Sequence, residues 1–165
     1  MKFLFSAFCS IIFFCYCKKE SSCPYAHPTI KATDNEIVAL QNYLQSNNIQ
    51  ASQDASGIFF NITAPGQGNS PGMCSYLTLK YRGSNLLSGA VFDSTAAGST
   101  TSFELGGLIN GWKYGLPKIK PGGKINLFIP PSLGYGNTPV TGQNGAVIIP
   151  ANSYLRFDVE LIAVE

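Results

Sequence analysis

The chain is 165 residues long, 45% hydrophobic and 12% charged, which is enough for one domain with its own core and too little for a second. Eleven Lys and Arg against nine Asp and Glu leave a net charge of +2; the basic residues are scattered, so no stripe supplies the several phosphate contacts that a nucleic-acid binder needs. Seventeen Gly, ten Pro and 12% aromatics suit a turn-rich, mainly β domain rather than a helical bundle.

At the N-terminus "MKFLFSAFCSIIFFCYC" starts with one Lys, runs apolar from Phe3 to Tyr16 and meets "KKE" directly after Cys17, the layout of an export signal. The run is too short for a comfortable membrane span, and it ends on a cysteine rather than on an A-x-A site. This resembles a bacterial lipoprotein signal, cut before a cysteine that is then acylated, with residues 1–16 as the signal and Cys17 as the attachment point. The preceding "FFCY" departs from the usual small-residue pattern, which keeps Cys15, and behind it Cys9, as alternatives. A plain secretory signal and an uncleaved short anchor are the competing readings. The resemblance implies an exported protein, lipid-anchored to a bacterial membrane and facing the periplasm or the cell surface.

With Cys17 acylated, Cys23 and Cys74 are the cysteines left in the mature chain. An oxidising compartment permits them to pair, but sequence does not supply the Cα separation a disulfide needs, so a bond and two thiols both stand. No C-x-x-C pair occurs and His27 is the single histidine, which leaves no metal-ligand spacing. His27 falls in residues 17–32, a polar stretch with Pro24 and Pro28 that reads as a linker. A Ser-His-Asp or Cys-His triad therefore has no histidine in the domain proper.

Helix signals begin at Thr33. Thr33 and Glu36 form a capping box, Ile37, Leu40 and Leu44 fall on one face, and Asn47 and Asn48 end the run. The pattern predicts a helix over residues 33–48, packed on the main domain or presented to a partner. Short β segments follow over residues 57–165: "GIFFNITAPG", "YLTLKYRG", "AVFDS", "TSFELG", "KINLFIP" and "YLRFDVELIAV". In the second, Leu77, Leu79 and Tyr81 alternate with Thr78, Lys80 and Arg82; in the last, Leu155, Phe157, Val159 and Leu161 alternate with Arg156, Asp158 and Glu160. Each strand thus has one apolar and one wet face. A short helix is predicted at "INGWKYGLPKI", with Pro117 at its exit, "KPGGK" as the following turn, and Gly111 and Gly115 allowing close approach to neighbouring backbone. Strands in succession around one short helix indicate an α+β design with an antiparallel sheet. Aromatics beside glycines at strand ends, such as Tyr81, Phe92 and Tyr135, suit a ligand-lined concavity as well as core packing.

The segments "YRG", "VFDST", "FELGGLINGWKYGL", "GGKINLFIPPSLGYG" and "VIIPANSYLRFDVELI" occur in the order and spacing of the FKBP-type peptidyl-prolyl cis-trans isomerases, and residues 57–165 resemble that family. The resemblance implies an antiparallel sheet of about five strands curved around one short helix, here with an extra N-terminal helix. It implies that Trp112 is the floor under a substrate proline ring, and that Tyr81, Phe103, Leu108, Ile109 and Phe157 are walls. Tyr135 matches a tyrosine reaching a substrate carbonyl, and Asp93, after the pocket residue Phe92, matches the pocket carboxylate. The Ile109 N–H matches the donor to the carbonyl after the proline, and Ile148 and Ile149 match a loop closing over the pocket. Proline-containing polypeptide clients and macrolide ligands are the implied partners; no cofactor or metal is implied.

Three departures stand out. No arginine follows Asp93 in "STAAGSTT", Thr101 stands where the family often has an aromatic wall, and "GNTPVTGQNGAV" is long and lacks histidine. The implied activity is X-Pro isomerisation during folding of exported proteins. The alternative is a proline-binding chaperone or interaction module with little turnover.

Overall fold

The computed structural model describes residues 22–165; the signal run, Cys17 and the alternatives Cys9 and Cys15 lie outside the described residues. Helix α1 spans Asp34–Ser46 and strands β1 to β4 span Ser52–Gln53, Phe59–Ala64, Tyr76–Asn85 and Val91–Ser94. Strand β5 (Thr101–Glu104), a 3₁₀ turn (Leu105–Gly107) and helix α2 (Asn110–Gly115) follow. The chain then forms β6 (Lys124–Ile129), a 3₁₀ turn (Pro131–Leu133), β7 (Val140–Thr141), β8 (Val147–Ile149) and β9 (Leu155–Val164).

The main sheet is antiparallel in every pairing and runs β1-β2-β6-β9-β3-β4, with β5 also on β3. Its seven strands are the six segments singled out in the sequence plus the two-residue β1, where about five strands were expected. Strand β3 is central: β9 covers one edge, while β5 pairs Tyr76 to Leu79 and β4 pairs Arg82 to Ser84 on the other. Between these two partners the edge is closed by Thr95, whose N–H donates to the Tyr81 carbonyl at 3.0 Å.

The period-2 alternation read from β3 and β9 is the observed one, with Leu77, Leu79, Leu155, Phe157, Val159 and Leu161 buried. These residues and Ile125, Leu127 and Ile129 of β6 form the main core, and α2 lies on it. The closeness of α2 needs its glycines: a Cβ on Gly111 would stand 2.5 Å from the Ile129 side chain, and one on Gly115 2.4 Å from that of Leu127. The neighbours are therefore β6 side chains, where backbone was expected.

Helix α1 begins with the expected capping box, Thr33 accepting from the Glu36 N–H and Glu36 accepting from the Thr33 N–H. Leu40 and Leu44 bury against Phe59, Phe128 and Leu86 in a second apolar cluster. Phe128 points away from its neighbours Leu127 and Ile129 because side chains alternate along a strand. The sheet thus carries α2 on one face and α1 on the other, which settles the choice left open for α1 in favour of packing on the domain.

Residues 22–32 have no helix or strand, as a linker would, yet they are held against the domain. Cys23 and Cys74 form a disulfide with Cα atoms 5.7 Å apart, the Ala32 N–H donates to the Ser56 carbonyl at 2.8 Å, and Ala32 is buried. No helix among the described residues is long and apolar enough to cross a membrane.

Candidate functional site

Five stretches of the fold converge on one concavity. The centre of β3 brings Tyr81, the matching part of β9 brings Phe157, and the run from β5 into α2 brings Phe103, Leu108, Ile109 and Trp112. The loop after the 3₁₀ turn Pro131–Leu133 brings Tyr135, and β4 brings Asp93. These residues, with Gly107, line a cavity of about 310 Å³, the scale of a small-ligand site.

Its floor and walls are set by ring geometry. The Tyr81 ring stands at 84° to the Trp112 indole with centroids 5.4 Å apart, and the Phe157 ring at 88° and 5.1 Å. Phe103 packs edge-on to Tyr81 at 6.2 Å. Edge-to-face contacts are the favoured arrangement for aromatic quadrupoles, and here two upright rings fence one flat indole. Trp112 is 4% exposed, so the packing that holds it leaves only a narrow opening onto the cavity. Among the described residues its buried indole Nε1–H has no hydrogen-bond partner, a cost of about 1–3 kcal/mol that a phenylalanine filler would avoid. Selection for packing alone does not account for a tryptophan there.

Polar groups sit at the edge of this apolar box. The Tyr81 hydroxyl donates to Asp93 Oδ2, so the carboxylate without an arginine neighbour is held by the tyrosine itself. Thr95 fixes the tyrosine's backbone, its Oγ1 accepting from the Tyr81 N–H at 2.8 Å. Burial, then the hydrogen bond and charge of Asp93, raise the Tyr81 hydroxyl above the ordinary tyrosine value. Burial and then the Asp93 charge raise that of Tyr135 as well. Both hydroxyls are consequently protonated, and able to donate, throughout the neutral range. Ile109 is the N-cap of α2 with extended backbone; its N–H donates no hydrogen bond among the described residues and stands at the cavity wall.

Not every expected residue joins this set. Phe92 packs edge-on behind Phe157 at 5.6 Å and does not line the cavity; it supports a wall rather than forming one. Ile148 and Ile149 also lie outside the lining. They are consecutive on β8, so alternation sends them opposite ways: Ile149 is 3% exposed and belongs to the core, while Ile148 is 46% exposed. The long segment before them folds into the β7-β8 hairpin, closed by Gly142 N–H to Ala146 O at 2.9 Å. Thr101 pairs with Leu79 at the far end of β5, removed from the lining.

Two supporting residues went unnoticed in the sequence. Thr95 gave only a turn-like signal, and Glu36 was read solely as a capping-box member. Glu36 also accepts from the Ser132 N–H at 2.9 Å and the Ser132 hydroxyl at 2.7 Å, capping the turn that precedes Tyr135. Its neighbours explain its acidity: burial raises the Glu36 pKa, but the hydrogen bonds from Ser132 and Thr33 outweigh this and hold it below the ordinary value.

A second concavity of about 350 Å³ lies among Lys80, Arg82, Lys124, Asp158 and Glu160. These are the outward residues of β3, β6 and β9, with Lys124 and Glu160 paired at 3.4 Å, and they form the wet face expected from the alternation. Among the described residues no group of three or more His, Cys, Asp or Glu is placed to hold a metal.

Comparison with known proteins bears on the same region. Residues 68–162 match the family described as FKBP-type peptidyl-prolyl cis-trans isomerase. The FKBP-type peptidyl-prolyl cis-trans isomerase FkpA of Escherichia coli K12 is 37% identical over 138 residues, covering 81% of this chain and 48% of its own length. The peptidyl-prolyl cis-trans isomerase Mip of Coxiella burnetii is 36% identical over 112 residues, covering 67% of this chain and 46% of its own. The chain thus spans about half the length of the curated relatives it matches. Among solved structures, E. coli FkpA superposes with a TM-score of 0.66 at 34% identity, covering 79% of this chain and 60% of that one. AtFKBP13 superposes at 0.62 with 33% identity, covering 70% of this chain and 99% of that one. On the family match and these likenesses together, the chain belongs to the FKBP-type peptidyl-prolyl cis-trans isomerase family.

Proposed function

We propose that the protein is a peptidyl-prolyl cis-trans isomerase that acts on X-Pro bonds of exported polypeptides. The observation that carries this reading is the flat, buried Trp112 indole fenced by the upright rings of Tyr81 and Phe157.

An X-Pro bond isomerises slowly because amide resonance sets a barrier of about 18–20 kcal/mol. The twisted amide at the top of the barrier has lost that resonance and is less polar than the planar form. An apolar cavity that holds the proline ring binds the twisted form better than the planar one, which is catalysis by differential binding. In this chain Trp112 receives the ring, while Phe103, Leu108 and Phe157 exclude water. The Ile109 N–H donates to the carbonyl after the proline, and the Tyr135 hydroxyl donates to a second substrate carbonyl; each donor contributes about 0.5–1.5 kcal/mol. Asp93, held by Tyr81, fixes the orientation of that wall. No nucleophile or metal takes part in such a step.

Export is supported by the signal-like run and by the Cys23–Cys74 disulfide, since such bonds persist in oxidising compartments. Cys17 is the proposed lipid attachment point, and Cys17→Ser is expected to lose membrane partition and labelling by a palmitate analogue; a variant still labelled moves the attachment to another cysteine. Macrolides are a second proposed ligand class, on the strength of the family likeness.

A protease-coupled assay of cis-to-trans conversion in a short X-Pro peptide tests the activity. The expected result is a rate that rises linearly with protein. An uncatalysed rate, with proline peptides still quenching Trp112 fluorescence, instead identifies a binding module with little turnover.

A further inference from the structure

We propose that the segment from Cys23 to Glu36 is a positioning strap for the cavity, with Tyr25 as its principal positioning residue; this rests on the isomerase reading above. A polar stretch with two prolines would hang free as a linker if solvation alone governed it. Instead it touches, in chain order, the turn that leads to Ile109, the helix that carries Trp112 and the turn that precedes Tyr135.

The first contact is behind the Ile109 wall. The Tyr25 side chain lies against Gly106, where an added Cβ would stand 2.1 Å from the ring's Cγ, and the Tyr25 hydroxyl donates to Glu104 Oε2 at 3.1 Å. Tyr25 therefore clamps the junction between β5 and the 3₁₀ turn Leu105–Gly107. The same turn is tied to the loop before β3, through Leu105 N–H to Ser75 O at 3.0 Å and Gly106 N–H to Met73 O at 2.7 Å. Between Met73 and Ser75 sits Cys74, bonded to Cys23. Covalent pin and aromatic ring, two residues apart on the strap, thus hold the turn and the loop to which it is hydrogen-bonded. That turn ends at Gly107 and leads into Leu108 and Ile109, and these three residues line the cavity.

The second contact is with the floor's own helix. Tyr114, two residues after Trp112, places its hydroxyl 2.7 Å from the Pro28 carbonyl and 2.8 Å from that of Ile30. The third is Glu36 on Ser132, in the turn that precedes Tyr135. Beside its anchor at Ala32 and Ser56, the segment thus meets the turn before the Ile109 wall through Tyr25, the helix of the floor through two backbone carbonyls, and the turn before Tyr135 through Glu36.

Tyr25 and Gly106 supply the test, because one is shaped to the other. In the full chain, Tyr25→Ala is expected to lower kcat/KM by about tenfold, the scale of a modest misplacement of positioning groups. It is also expected to shift the Ile109 amide resonance and speed its hydrogen exchange. Tyr25→Phe keeps the ring and restores most of the activity. Gly106→Ala, whose methyl expels the ring, reproduces the Tyr25→Ala defect, and the double variant is no worse than either single one, the non-additivity of residues acting as a unit. Should Tyr25→Ala fail to fold, Tyr25→Leu is read in the same way. A Tyr25 variant that melts earlier yet keeps wild-type kcat/KM and an unmoved Ile109 amide overturns the proposal. If wild type itself does not accelerate X-Pro exchange, the isomerase reading falls, and the Ile109 amide alone decides the strap.

Discussion

The cavity floor and its proposed rim are built differently. On the floor side, Trp112, Phe157 and Tyr81 interlock ring against ring, Trp112 and Phe157 are nearly inaccessible, and glycines let α2 sit down on β6. Beyond Tyr135, the proposed rim is the β7-β8 hairpin, which lines no part of the cavity and forms a two-stranded sheet separate from the main one, with Val147 and Ile148 56% and 46% exposed. Dense packing in staggered rotamers fixes the floor's shape to within a methyl group. The rim has few such partners, so its local opening costs little. A substrate of any sequence needs the same flat surface under its proline, whereas the residues flanking the proline differ from client to client. Rigidity sits where the demand is constant.

Breaking the floor has the largest expected effect. Trp112→Ala is expected to bring X-Pro isomerisation to background and to lower stability by about 3–5 kcal/mol, read by the coupled assay and by urea melts. Trp112→Phe separates the two consequences. It removes the unpartnered buried N–H, so stability is expected to hold or rise, while activity falls with the lost stacking area.

Next comes the covalent support of the floor side. The disulfide closes a loop with a sequence separation of 51, and Cys23→Ser or reduction is expected to cost about 2–4 kcal/mol, read as an earlier thermal midpoint.

Within the polar edge the effects are smaller. Tyr81→Phe deletes the donor to Asp93 and, at this solvent-exposed carboxylate, is expected to cost about 1 kcal/mol, or about fivefold in kcat/KM. Because the Tyr81 pKa is raised in the folded chain, the stability it contributes is complete below the unfolded tyrosine value of about 10 and is lost as pH rises beyond it. Activity and stability are therefore expected to be flat from about pH 6 to 9 on account of the two tyrosines, with wild type losing more stability than Tyr81→Phe in urea melts above about pH 10. At the rim, Ile148→Ala is expected to change kcat/KM for a short peptide by less than about twofold, as exposed substitutions commonly do, and to alter the ranking of longer clients more than their mean rate.

The same contrast explains how much was readable beforehand. The floor was legible because its residues lie in contiguous motifs, and Trp112, Leu108 and Ile109 fall within five positions of one another. The α1 capping box was legible for the same reason. Ile148 and Ile149 were misplaced together because a motif carries both, whereas the pleat of β8 separates them. The strap was read as a linker since its contacts are remote: Tyr25 meets Glu104 across 79 positions and Glu36 meets Ser132 across 96. No local pattern of polar residues marks such partners. Whether Cys23 and Cys74 pair was equally closed to inspection, because the 5.7 Å between their Cα atoms is a product of the fold.

In the proposed mechanism X-Pro exchange takes place over the Trp112 indole. Two-dimensional exchange NMR of a short X-Pro peptide, with catalytic amounts of wild type or Trp112→Phe, tests it most directly. The mechanism predicts cis-trans exchange cross-peaks with wild type and their marked weakening with the equally folded Trp112→Phe. Cross-peaks of undiminished strength in the variant would contradict it.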